Sequence, residues 1–68
     1  MEKYIVYFDP QDKKVQLNQF HVEADNMSEG ISLLHKNAVQ KNIVGLKVMG
    51  VKNYPKNQES KFINLKFY

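Results

Sequence analysis

"HVEADNMSEGISLLHKN", residues 21–37, holds the change of hydrophobic period on which the fold turns. Phe20, Val22 and Ala24 alternate with polar side chains, the period-two pattern of a half-buried strand. Beyond Asn26 the period lengthens. Met27, Ile31, Leu34 and Ala38 follow at steps of four, three and four, which puts them on one stripe of a 3.6-period helix. Asn26 with Glu29 three residues on has the form of a capping box, in which Asn26 accepts from first-turn amides and Glu29 reaches back. The spacing predicts a helix over residues 27–41. Lys36 and Lys41 lie where the macrodipole favours cations, and Asn42 is able to take the left-handed conformation that ends a helix. Gly30 sits about 60° from the centre of the stripe and costs roughly 1 kcal/mol relative to alanine, which a close approach of helix to sheet would offset.

Working outward, "KYIVYF" reads as a strand at residues 3–8, and "DPQDKK" after it is turn chemistry, with Pro10 fixing φ. Val15 and Leu17 precede Phe20, Val22 and Ala24 with a one-residue slip in parity, which predicts a bulge near Asn18 and Gln19. After the helix, "IVGLKVMGV" resumes strand patterning, with Val44, Leu46 and Val48 on one face and Lys47 and Met49 on the other; Gly45 and Gly50 read as strand positions. "KNYPKNQES" is a polar loop. "KFINLKFY" closes as a fourth strand, Ile63, Leu65 and Phe67 on one face and Phe62, Asn64, Lys66 and Tyr68 on the other. The expectation is an α+β fold in ββαββ order: a two-layer domain with a four-stranded sheet and one helix packed on one face.

Length limits what such a chain can do. Residues 1–68 make a single small domain, because so short a chain buries only roughly 60% of its unfolded surface. The absence of cysteine excludes disulfides and thiolate metal sites from these residues, and fits weakly with a cytoplasmic location. The five-residue apolar run near the start is too short for a secretory h-region or a membrane span, so a soluble, unprocessed chain without membrane partners is expected.

All ten basic residues are lysine, and asparagine occurs seven times, a usage that AT-biased codons produce; it points to a low-GC bacterium or its phage. The net charge of +3 conceals a division: residues 1–34 hold three lysines and six acids, residues 35–68 seven lysines and Glu59 alone. Such asymmetry orients encounters with acidic partners or with nucleic acid.

One helix covers one face of a sheet. With Tyr4, Val6 and Phe8 turned to the helix, alternation assigns Ile5, Tyr7, His21, Glu23, Lys47, Met49, Phe62, Asn64 and Lys66 to an open face. Mixed aromatic and cationic groups there mark a candidate interface, with Tyr7, His21, Lys47, Met49, Phe62 and Lys66 as its binding residues.

Catalysis finds little support. His21 falls on a strand and His35 on the helix flank, with no local third metal ligand, and the carboxylates sit in turns or at the helix start, where capping accounts for them. Gly30, Gly45 and Gly50 are isolated and form no phosphate loop. The chain is read as non-enzymatic, with no cofactor and no metal. Nucleic-acid binding through Tyr7, Phe62, Lys47 and Lys66 is an alternative, although the absence of arginine removes the bidentate guanine reader.

The stretch "HVEADNMSEGISLLHKNAVQKNIVGLKVMGV" resembles small phage and mobile-element proteins in which a strand ending "V-E-A" leads into a capped helix and a "V-x-x-V" strand. The layout is similar to that of the coliphage inhibitors of bacterial RNA polymerase. It is also similar to the RNA polymerase epsilon subunits of low-GC Gram-positive bacteria, whose "F-x-x-L" ending Phe62 to Leu65 matches. Gly30 stands where those helices carry alanine, and the basic second half departs from the acidic surface of the phage inhibitors. The resemblance implies a small adaptor or inhibitor that covers part of a host machine in the host cytoplasm. A homodimer in which two open sheets cover each other is a further expectation.

Overall fold

The aromatic and β-branched run near the start of the chain becomes β1 (Glu2–Pro10), against which two strands pair in a computed structural model describing residues 1–68. One is β2 (Gln19–Ala24) and the other β3 (Leu46–Asn53); a two-residue β4 (Lys66–Phe67) completes an antiparallel sheet of order β3-β1-β2-β4. Both β2 and β3 are antiparallel to β1, so they run parallel to each other, and α1 (Met27–Gln40) joins them by crossing β1 on one face. This is the expected α+β architecture. No helix is long and apolar enough to cross a membrane.

Alternation holds through β1 and β2. Tyr4, Val6 and Phe8 join Phe20, Val22 and Ala24 beneath Leu34 and Ala38 of α1, with Ile43 and Phe67 closing the core at its ends. Phe67 meets Phe8 edge to face at 5.8 Å and Phe20 at 4.7 Å, so even a two-residue strand is fixed by an aromatic anchor. Each fully buried apolar side chain of this kind contributes roughly 1.5–3 kcal/mol, which a small domain needs.

Capping starts the helix as expected, with one change of partner. The Glu29 N–H donates to Asn26 Oδ1 at 2.9 Å, but the Glu29 carboxylate accepts from the Asp25 N–H at 2.8 Å, one residue further back than a standard box. At the other end the Lys41 N–H donates to the carbonyls of Asn37 and Ala38, and Asn42 takes the left-handed conformation at φ 60°. The buried line runs through Gly30, Leu34 and Ala38, so the apolar face is turned toward Gly30 and Met27 stays 45% exposed.

Four local expectations change. The parity slip before Phe20 needs no bulge, because Val15 and Leu17 precede β2 and pack on the core from an irregular segment. The bulge lies in β3 instead. Tyr7 pairs with Gly50 and Phe8 with Val48, leaving Met49 as the extra residue. Gly45 and Val44 lie before β3: Gly45 has φ +76°, a turn conformation that favours glycine, and Val44 is 82% exposed. The final strand shrinks to Lys66–Phe67, since Leu65 turns left-handed at φ 59° and both Ile63 and Leu65 point to solvent.

The largest correction concerns the bare face. Leaving β3, the chain must reach β4 at the far edge of the sheet, and it does so by crossing the face opposite α1. This strap, residues 54–65, contains a 3-10 turn (Lys56–Lys61) and covers one end of the sheet. Under it Ile5 and His21 are buried.

Candidate docking surface

The face opposite α1 is built from the odd-numbered side chains of β1, from Gln19, His21 and Glu23 of β2, from Lys47 and Lys52 of β3 and from Lys66 of β4. The strap divides it. At the covered end the Tyr54 N–H donates to the Lys3 carbonyl at 2.8 Å and the Glu23 N–H donates to Asn64 Oδ1 at 2.7 Å, which fixes the strap at its start and near its end. Between these bonds lies a ring cluster. Tyr54 packs edge to face on Phe62 at 5.2 Å and on His21 at 5.2 Å, while Tyr68 lies over His21 at 4.2 Å. Lys3 sits 5.6 Å above the Phe62 ring and 3.9 Å from the Glu59 carboxylate.

His21 is 8% exposed, and this decides its role. Its Nε2 lies 3.1 Å from Gln19 Oε1, within hydrogen-bond distance, and Nδ1 is buried without a hydrogen-bond partner. Burial lowers the pKa of the ring below the ordinary histidine value. From β2, the His21 ring packs against Tyr54 and Tyr68 and so ties the strap to the sheet.

Of the six expected binding residues, the structure brings three together on the uncovered half. Tyr7 lies on the central strand, Lys47 is exposed on β3, and Met49, at the bulge, is 62% exposed. His21 and Phe62 belong to the covered cluster. Lys66 is exposed at the opposite edge, 5.1 Å above the Tyr68 ring. One residue of the surface escaped sequence reasoning: Lys52, placed beyond the strand, lies within β3 with its ammonium 5.6 Å above Tyr7. The bulge explains this. Lys47 pairs with Asp9 and Lys52 with Ile5, so both lysines share the strap-side face although one is odd-numbered and the other even. No pattern of strict alternation across Met49 shows that.

No group of three or more histidine, aspartate and glutamate side chains converges, and His35 is exposed on α1, away from His21. The one cleft, about 140 Å³ among Lys3, Asn53, Tyr54 and Glu59, is below the roughly 300–1,000 Å³ of small-molecule sites. Comparison with protein-family models, with curated proteins and with solved structures finds no match.

Proposed function

We propose that the protein is a non-enzymatic binding module that docks an acidic surface of a larger host protein through the uncovered half of its sheet and acts by occlusion. The observation that carries this reading is the state of the lysines: of ten, Lys3 alone forms an ion pair within the chain. Lys47 and Lys52 flank Tyr7 and the bulged Met49 without forming an ion pair, Asp9 being the one carboxylate opposite Lys47 across the sheet, and cations beside exposed apolar surface suit an acidic protein face. The likeness in layout to phage inhibitors and polymerase epsilon subunits supports a host machine as the partner. The ring contacts favour a protein over nucleic acid. Phe62 and Tyr54 are engaged edge to face, Tyr68 lies on His21, and Tyr7 is the remaining ring for base stacking, itself beneath Lys52.

Affinity capture from a low-GC bacterial lysate tests the proposal when run with the native protein, with Tyr7→Ala, with Met49→Ala and with Lys47→Glu/Lys52→Glu. Fluorescence anisotropy on single-stranded and duplex oligonucleotides across a salt series runs beside it. The expected result is one partner held by the native protein and released by the charge-reversed variant, with no oligonucleotide signal. Capture indifferent to all the variants sinks the proposal, and so does salt-sensitive oligonucleotide binding that depends on the same lysines.

A further inference from the structure

The order β3-β1-β2-β4 leaves two sheet edges, and they differ in what they offer. β4 is two residues long. β3 runs for eight residues and its outer side has no neighbour. The direction of its backbone follows from two bonds: the Gln11 N–H donates to the Gly45 carbonyl and the Tyr54 N–H to the Lys3 carbonyl, so residues 45 and 54 face β1. Alternation on each side of the bulge then turns the amides and carbonyls of Leu46, Val48, Val51 and Asn53 outward. Side chains sort with equal clarity. Leu46, Val48 and Val51, paired with Pro10, Phe8 and Val6, lie on the helix side, only half-buried because α1 packs on β1 and β2. Lys47 and Lys52 lie on the other side.

We infer that the β3 edge accepts an added strand from the partner, and that this strand alternates apolar and acidic residues. Its apolar side chains extend the row of Leu46, Val48 and Val51 on the helix side, and its carboxylates face Lys47 and Lys52 on the strap side. A second copy of β3 in full antiparallel overlap is disfavoured. In the antiparallel register that overlaps all eight residues, Lys47 of one copy stands opposite Lys52 of the other, and like charges directly opposite are destabilising. Edge lysines and a bulge therefore guard against self-association while leaving the edge open to the opposite charge.

This deepens the docking proposal and rests on it, so the test must separate the two. The probe is a synthetic ten-residue peptide alternating valine and glutamate, compared with a valine–lysine peptide and with a block peptide of the same valine and glutamate content, each titrated into the isotope-labelled full chain. The alternating acidic peptide is expected to bind at least about tenfold more tightly than either control and to slow amide exchange at Val48 and Val51. Lys47→Glu/Lys52→Glu is expected to reverse the preference toward the valine–lysine peptide. Val51→Pro, which removes an outward N–H and leaves the β1 ladder intact, is expected to abolish binding while the chain remains folded by circular dichroism. Perturbation of Tyr7 and Met49 without protection at Val48 and Val51 overturns strand addition and leaves docking through the face standing. Equal response to all three peptides, or none to any, overturns strand addition as well.

Discussion

The imidazole of His21 lies against the phenol ring of Tyr68, centroids 4.2 Å apart at 35°, with Tyr54 edge-on at 5.2 Å. Those contacts bind β2, the end of β4 and the strap into one unit. They also take a titratable group out of water and leave its Nδ1 without a partner.

A pH dependence follows. Burial lowers the folded-state pKa of His21, so as pH falls the unfolded chain takes up the proton first. The contribution of His21 is full above the ordinary histidine value of about 6.5 and is lost as pH drops through it toward the lower folded-state value. His21→Phe keeps a ring between Tyr54 and Tyr68 and cannot titrate. Thermal midpoints from pH 8 to pH 5 should fall more steeply for the native protein than for the variant, and parallel curves would exclude His21 as the cause.

Gly30 invites a second prediction. A Cβ built there would lie 3.4 Å from Val22 Cγ1 and 3.9 Å from Val6 Cγ2, ordinary contact distances, so the helix approaches the sheet closely without requiring glycine. Gly30→Ala is expected to stabilise by about 0.5–1 kcal/mol through helix propensity and reduced unfolded-state freedom. Gly30→Val adds methyl groups where Val22 and Tyr4 already stand and should destabilise. Urea denaturation of the three proteins measures both; an alanine variant less stable than the native chain contradicts the packing described.

The strap's attachment gives a third. Asn64→Ala removes the acceptor of the Glu23 N–H, a 2.7 Å bond spanning 41 residues of chain, and should cost about 1 kcal/mol. Because the bond is local to the strap, hydrogen exchange at Glu23 should accelerate while exchange at Val6 and Val22 tracks global stability. Equal acceleration at all three sites would mean that the strap does not open separately.

Legibility in the sequence divides by range. The core parity of β1 and β2, the cap at Asn26 and the turn at Asn42 depend on neighbours within a few residues, and local pattern displays them. The bulge at Met49 and the strap depend on what the chain meets elsewhere. "KFINLKFY" alternates convincingly, yet Phe62 and Asn64 are recruited by Tyr54 and Glu23, and the strand begins only at Lys66. Its period was satisfied by a crossing that no window of that length contains. The same crossing moved His21 from candidate surface to interior.

Tyr7 and Phe62, equal candidates by sequence, should therefore separate on mutation. Phe62 packs on Tyr54 beneath Lys3, so Phe62→Ala is expected to lose about 2–3 kcal/mol and to loosen the strap. Tyr7 is half-buried on the uncovered half with Lys52 above it, so Tyr7→Ala should cost about 1 kcal/mol or less, through strand preference and lost packing. Binding should respond in the opposite order. At a temperature where both variants are folded, Tyr7→Ala should weaken partner binding more than Phe62→Ala, because only the former alters the proposed docking surface. Stability from denaturation and affinity from calorimetry, measured on the same two samples, decide it: a Phe62 variant that is fully stable but binding-deficient would place the partner on the strap instead.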